Sequence, residues 1–212
     1  MKLILASSSS IIGDIERDCA TGLASIVYYY FDYKDSEKQD CHGLLSSLLT
    51  QLCAQSHHGF DILSSLYETH LNGVRKPRVV DLIKCLKKVL AFPGQGMVYI
   101  IVDALDESSN KNDPGIPSQR EKVLRVMKDL IHLRHDGADI RICITSRPEV
   151  DIRTDLDLLA SHSVSLHDEE GQRRDIISYI KFFVESNANM QRWRAEDRQL
   201  VIDELSKKAD GM

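Results

Sequence analysis

Long hydrophobic runs are missing from the sequence. A membrane-spanning helix needs about 18 consecutive apolar residues, and no segment of the 212 residues approaches that length. The opening Met-Lys-Leu-Ile-Leu-Ala turns polar at Ser7, whereas a secretory signal carries an apolar region of ~7–15 residues. We therefore expect no membrane partner and a cytoplasmic location.

An excess of basic residues is also missing. Lys and Arg total 27 against 32 Asp and Glu, which gives a net charge of −5. Proteins that bind nucleic acid need clustered positive charge to neutralise phosphates, so we expect no nucleic-acid partner. The five cysteines show no CxxC pair and no Cys/His ligand spacing, which favours free thiols in a reducing compartment.

Short apolar runs alternate with helical patterns along the chain. Residues 24–31 are rich in β-branched and aromatic side chains, and residues 97–102 are a continuous apolar run typical of a strand buried on both faces. Residues 140–145 are predicted to form another buried strand. The weakly alternating residues 161–166 are a candidate third short strand. Helical spacing of apolar residues covers 3–19, 41–90 with breaks near 57–59 and 72–77, 121–134, 171–186 and 195–208. The alternation predicts an α/β fold with a parallel sheet.

The strongest chemical signal is the acidic cluster after the second predicted strand. Asp103 follows the apolar run directly, and Asp106 and Glu107 come next. Ligands of α/β folds bind at the carboxyl ends of strands, where a carboxylate suits Mg²⁺ and a second acid can orient or deprotonate water. The alternative is a buried strand followed by an acidic helix cap; residue spacing alone leaves both interpretations open.

A second polar cluster follows the next predicted strand. Thr145, Ser146 and Arg147 end the run Ile-Cys-Ile, and an Arg guanidinium is a donor fork suited to phosphate. If the two strands are neighbours, Arg147 lies near Asp103 at one edge of the sheet. The alternative is an ordinary surface ion pair from Arg147 to a nearby acid such as Glu149 or Asp151.

Together these segments resemble a known family. IIVDALDES, followed about forty residues later by ICITSRPEVDI, resembles the NACHT class of P-loop NTPases among the signal-transduction ATPases with numerous domains. It is most similar to the fungal NACHT proteins grouped with nephrocystin-3-like N-terminal domains. SIVYYYF, LLSSLLTQL and KKADGM resemble further segments of that family, so the likeness covers essentially the whole chain.

The resemblance implies a three-layer P-loop NTPase core over residues 1–167 and a helical extension over 168–212. It implies that Asp103 holds Mg²⁺, that Asp106 or Glu107 positions the attacking water, and that Arg147, with Thr145 and Ser146, senses the γ-phosphate of ATP or GTP.

The phosphate loop of that family is incomplete in this sequence. A P-loop needs G-x-x-x-x-G-K-[ST], whose glycines let backbone N–H groups wrap the phosphates, and no such motif occurs. Aligning residues 5–15 with the helix that follows the loop places Lys2 near the P-loop lysine and Leu3 at the metal-binding hydroxyl. We therefore expect a core without its first strand, truncated inside the P-loop, and weak or absent nucleotide hydrolysis by this chain.

Two hypotheses follow. The first is a nucleotide-binding switch that binds ATP or GTP with Mg²⁺, hydrolyses it slowly in its intact form, and gates self-association or protein partners through flanking repeat and effector domains. The second is a non-catalytic interaction scaffold that keeps the fold without the chemistry.

Overall fold

A computed structural model of the chain describes residues 12–13, 15–16, 24–111, 114–135, 138–163 and 170–208. The chain divides into two compact units, Met1–Ala160 and Ser161–Met212. The first unit holds the sheet and the predicted functional residues. Each unit is described by itself.

The sheet of the first unit has three parallel strands in the described residues: β1 (Ala24–Tyr30), β2 (Met97–Asp103) and β3 (Ile140–Ile144). Their order is β1-β2-β3, so β2 is central. Tyr30 pairs with Asp103, and Val102 pairs with Ile144. This register brings the carboxyl ends of all three strands to one edge of the sheet.

Seven α-helices belong to the described part of the chain. They are α1 (Cys41–Ala54), α2 (His57–Thr69), α3 (Val79–Leu90), α4 (Gln119–His135), α5 (Val150–Leu156), α6 (Glu170–Ser186) and α7 (Ala195–Lys208). None of these helices is long and apolar enough to cross a bilayer. The α/β class and the parallel sheet predicted from the sequence are confirmed.

The two faces of the sheet pack against different partners because successive side chains of a strand point to opposite sides. On one face Val27, Ile100 and Ile140 belong to the main core, which α1, α3 and α4 complete with leucines such as Leu48 and Leu86. On the other face a smaller cluster forms around three isoleucines: Ile12, Ile26 and Ile101. Apolar side chains pack on both faces of the sheet, but the second face is only partly covered by the described residues, since Tyr28, Tyr99 and Cys143 there are half-buried.

Two glutamines, Gln51 of α1 and Gln55 at its C-terminal cap, bind the outer edge of β1 and are called the glutamines of α1. Gln51 accepts from the Tyr28 N–H at 3.0 Å and donates to the Tyr28 carbonyl at 2.8 Å. Gln55 does the same for Ile26, at 3.2 and 2.8 Å. Four residues of helix rise about 6 Å and two residues of strand span about 6.6 Å, so the two repeats match. The side-chain amides thus make the hydrogen bonds to β1 that the backbone of a further strand would otherwise make.

The second unit contains α6 and α7, which pack against each other. Val184 of α6 and Ile202 of α7 are buried. The rings of Tyr179 and Phe183 stack with centroids 6.2 Å apart, one helical turn apart on α6. The two helices predicted at the end of the chain are confirmed within one residue at each boundary.

Three predicted elements differ from the structure or lie partly outside the described residues. The break expected near 57–59 is confirmed but lies at 55–56: α1 ends at Ala54 and α2 begins at His57, because the Ser56 side chain caps α2 by accepting from the Gly59 N–H. Residues 161–163 of the candidate strand 161–166 are not in a strand, and 164–166 lie outside the described residues. In the helix predicted over 3–19, residues 12–13 and 15–16 are helical and the others lie outside the described residues.

Candidate functional site

The polar residues that follow β2 and β3 form one connected group, which we call the strand-end site (Asp103, Asp106, Glu107, Thr145 and Arg147). Asp103 is the last residue of β2 and is 1% exposed. The Thr145 hydroxyl donates to the Asp103 carboxylate at 2.5 Å and accepts from the Ala104 N–H at 3.0 Å. One hydroxyl therefore fixes both the acid and the turn that follows it.

The local backbone explains why these residues meet. The Thr145 N–H donates to the Val102 carbonyl at 2.9 Å and the Leu105 N–H donates to the Thr145 carbonyl at 3.0 Å, so hydrogen bonding continues past the ends of the strands. Ala104 then adopts a left-handed conformation, with φ +54°. This conformation is costly for a residue with a Cβ and turns the chain into the 3₁₀ helix Leu105–Glu107.

Asp106 and Arg147 make a two-point contact across this turn. One oxygen of Asp106 accepts from the Arg147 backbone N–H at 3.0 Å, and the other lies 3.4 Å from the guanidinium Nε. The Asp106 side chain is 10% exposed and that of Arg147 is 64% exposed. The carboxylate is therefore a fixed anchor, and the arginine extends from it toward solvent.

Arg120 supports the site from the start of α4 and was not predicted from the sequence. It is 8% exposed. Its guanidinium donates to the Asp106 and Ser108 carbonyls and to the Ser108 hydroxyl, and it pairs with Asp151 at 3.5 Å. A cation in the first turn of a helix is opposed by the helix dipole, and that unfavourable position was the available signal that Arg120 has dedicated acceptors.

Glu107 faces away from Arg147, toward the loop after β1. Its Oε2 accepts from the Tyr33 backbone N–H at 3.1 Å. The Phe31 N–H donates to the Asp103 carbonyl at 3.1 Å. The segment after β1 is therefore tied to the strand-end site at both Asp103 and Glu107.

Cys143 lies on β3 beside this site. Burial raises the pKa of its thiol, and the negative charge of Asp103 raises it further. A thiol in this environment stays protonated and contributes a small apolar surface. We assign it a packing role beside Asp103.

The oxygen donors of the strand-end site suit a divalent cation that brings most of its own ligands. The described residues contain no group of three or more His, Cys, Asp or Glu that could enclose a metal. A magnesium ion bound with a nucleotide does not need such a group, since one or two carboxylates suffice when phosphates and water supply the other ligands. A buried carboxylate fixed beside a hydroxyl, as in Asp103 and Thr145, fits that requirement.

The structure places most of the predicted site residues at one edge. Asp103 contacts Thr145, Asp106 contacts Arg147, and the Ser146 hydroxyl donates to the Arg147 carbonyl at 2.7 Å. Lys2 lies outside the described residues.

The two structural alternatives hold in part. Arg147 does form an ion pair with an acid, but the acid is Asp106 rather than Glu149 or Asp151, because the turn at Ala104 brings Asp106 to Arg147 and because Asp151 pairs with Arg120. The capping position of the turn is Ala104 rather than an acid, whereas Asp106 and Glu107 do lie in its first turn.

Comparison with known families gives one match. The family model described as "Nephrocystin 3, N-terminal" matches residues 4–147, a span that contains the sheet and every residue of the strand-end site. No curated protein and no solved structure matches the chain.

Proposed function

The chain belongs to the nephrocystin 3 N-terminal family, and on that premise we propose that it is a nucleotide-binding switch module of the NACHT type. The strand-end site is the phosphate-facing side of the module. The observation that carries the proposal is the pairwise bonding of the two polar clusters: Thr145 holds Asp103, and Asp106 holds Arg147. Ligands of parallel α/β sheets bind outside the carboxyl ends of the strands, where this group lies.

Asp103 is the residue we assign to Mg²⁺, through water, with the Thr145 hydroxyl fixing its carboxylate. Bound with ATP or GTP, Mg²⁺ supplies charge neutralisation at the phosphate oxygens. Asp103 is well suited to orient such an ion because its carbonyl is also held, by the Phe31 N–H. A residue that is held at both its side-chain carboxylate and its backbone carbonyl loses little conformational freedom when a ligand binds.

Arg147 is the residue we assign to the γ-phosphate. Its Nε pairs with Asp106, and its two terminal nitrogens donate no hydrogen bond to any of the described residues. Those nitrogens form a donor fork that matches phosphate oxygens. Asp106 thus acts as a positioning residue that aims the fork, and Thr145 and Ser146 hold the segment that leads to it.

Glu107 is a better candidate than Asp106 to orient a water molecule. Both oxygens of Asp106 are engaged by Arg147. Glu107 uses Oε2 for the Tyr33 N–H, and its Oε1 has no partner in the described part of the chain. A general base needs an accessible oxygen within hydrogen-bond reach of the water, and Glu107 retains one.

The nucleotide state would then be read by other proteins. A change at Glu107 passes to the loop after β1 through Tyr33, and a change at Asp106 passes to α4 and α5 through Arg120 and Asp151. We propose that these two routes gate self-association or the binding of protein partners by flanking repeat or effector domains.

A titration with fluorescent ATP and GTP analogues tests the proposal. We expect weak, saturable binding that requires Mg²⁺ and that Asp103→Asn weakens by about tenfold or more. Asp129→Asn, which removes a half-exposed carboxylate paired with Lys87 on the surface, is the control and should bind normally. Binding that ignores Mg²⁺ and Asp103, or no binding by the unmodified chain, would contradict the assignment.

The second candidate is a non-catalytic interaction scaffold. The observation that favours it is that Asp106, Arg147 and Glu107 all have intramolecular partners that stabilise the edge of the sheet. In a scaffold Asp103→Asn would leave partner binding and stability unchanged, whereas in a switch it would abolish the Mg²⁺ dependence of both nucleotide and partner binding.

A further inference from the structure

An open cleft of about 600 Å³ lies between α2 and α3, lined partly by the connection that joins them. It contributes nothing to the strand-end site. Its lining includes the apolar side chains Ile62 and Leu66 and the buried Cys85. The volume is in the range of small-molecule sites, about 300–1,000 Å³.

The charged lining of the cleft is positive, although the chain as a whole carries −5. Four cations face two carboxylates there. The cations are Arg75, Arg78, Lys84 and Lys88, and the carboxylates are Asp61 and Asp81. An excess of two positive charges in one cleft of an acidic protein attracts anions.

Asp81 is already occupied and does not neutralise the lysines. Its carboxylate accepts from Arg78 at 3.0 and 3.3 Å, and His70 lies 3.7 Å away. The hydrogen bond and charge of Arg78 lower the pKa of Asp81, and His70 contributes to the same effect. The negative charge of Asp81 is thus committed to Arg78 and His70.

Among the described residues, the other three cations of the cleft have no protein partner. Lys84 and Lys88 are four residues apart on α3, and like charges at that spacing on a helix repel each other. Across the described residues, Arg75, Lys84 and Lys88 form no ion pair and no side-chain hydrogen bond. A bound anion would supply the missing counter-charge and relieve the repulsion.

The connection that carries Arg75 is held in a costly conformation. Leu71, Asn72 and Gly73 are consecutive left-handed residues, with φ of 56°, 53° and 83°. The Arg75 N–H then donates to the His70 carbonyl at 3.0 Å. Such conformations persist where the surroundings enforce them, and they are common at ligand sites.

We propose that this cleft binds a phosphate monoester of a small organic molecule. The phosphate would lie among Arg75, Lys84 and Lys88, and the organic part would contact Ile62 and Leu66. A phosphate monoester carries about −1.5 to −2 charges at pH 7, which matches the positive excess of the cleft. The site is separate from the strand-end site and does not depend on the function proposed for it.

Calorimetric titration with phenyl phosphate tests the site. We expect saturable binding at roughly millimolar concentration, and weaker binding of inorganic phosphate, which lacks the apolar part. The double variant Lys84→Gln/Lys88→Gln should weaken phenyl phosphate by about tenfold or more, the range of charged hydrogen bonds. Both lysines are exposed, so the variant is expected to fold.

Two controls separate this site from general charge and from the strand-end site. Lys87→Gln removes a charge from the same helix at a residue that pairs with Asp129 outside the cleft, and it should leave binding unchanged. Asp103→Asn should also leave it unchanged. The proposal is overturned by absent saturation, by equal binding of inorganic phosphate, or by an equal loss in either control.

Discussion

Asp106 holds Arg147 at two points, its backbone N–H and its side-chain Nε, although 41 residues separate them. One contact fixes where the chain runs after β3, and the other fixes where the guanidinium begins. A nearly buried acid thus holds the backbone and the Nε of Arg147, and the end of the arginine side chain is exposed.

The two contacts predict unequal effects of mutation. Asp106→Ala removes both contacts and should cost about 1–2 kcal/mol of unfolding free energy. Arg147→Gln removes only the exposed ion pair and should cost at most about 1 kcal/mol. Urea denaturation of both single variants and of the double variant measures the two costs. The double-mutant cycle should give a coupling energy between the two side chains below about 1 kcal/mol. Equal costs for the two single variants would show that the backbone contact contributes nothing.

Thr145 should be replaceable by serine but not by valine. Thr145→Val keeps the shape of the side chain but leaves the Ala104 N–H and the Asp103 carboxylate without the hydroxyl that joins them. We expect a loss of about 1–3 kcal/mol. Thr145→Ser keeps the hydroxyl and should retain most of the stability in the same thermal or urea measurement. A valine variant as stable as the serine variant would refute the importance of these bonds.

The glutamines of α1 should protect the outer edge of β1. Gln51→Met or Gln55→Met each removes two bonds to the strand, so we expect a loss of about 1–2 kcal/mol for each. The double variant should also aggregate, since an open edge pairs with other chains. Light scattering and urea denaturation measure both effects. Gln199→Met, on an exposed part of α7, is the control and should show neither.

Alkaline pH should destabilise the protein through a buried thiol. Burial and the nearby charge of Asp40 raise the pKa of Cys41 from 9.0 to about 12. Above pH 9 the unfolded chain releases this proton while the folded chain keeps it, so unfolding becomes more favourable from pH 9 up to about 12. The full stability contribution is present below pH 9.

Urea denaturation at pH 7, 9 and 10.5 checks this pH dependence, with Cys41→Ala as the comparison. Cys53, with a pKa of about 11, and Tyr29, with a pKa of about 12, act in the same direction. The alanine variant should therefore have a smaller, not an absent, alkaline loss. An identical pH dependence in both proteins would contradict the assignment to Cys41.

Strand β2 was predictable because it follows a continuous apolar run, and β1 and β3 because they are rich in β-branched and aromatic side chains. Parallel pairing then placed Asp103 and Thr145 at one edge. The partner of Arg147 was not predictable. It depends on the left-handed turn at Ala104, and an alanine in the sequence gives no reason to expect a left-handed conformation. Glu149 and Asp151 are closer to Arg147 in sequence and were therefore the expected partners. In the structure Asp151 pairs with Arg120 of α4, and Arg147 pairs with Asp106.

The glutamines of α1 were equally hidden. A polar residue four positions from another on a helix is typical of a solvated surface, and nothing in the local pattern marks Gln51 and Gln55 as partners of a strand. Their role becomes visible only when the helix lies along β1 in register.

Asp103 is bonded on both sides of the central strand, through its carbonyl to Phe31 and through its carboxylate to Thr145. It is therefore not an independent sensor: displacing it requires movement of the chain segments that follow all three strands. Any displacement of this one acid is thereby coupled to the segments that follow both neighbouring strands.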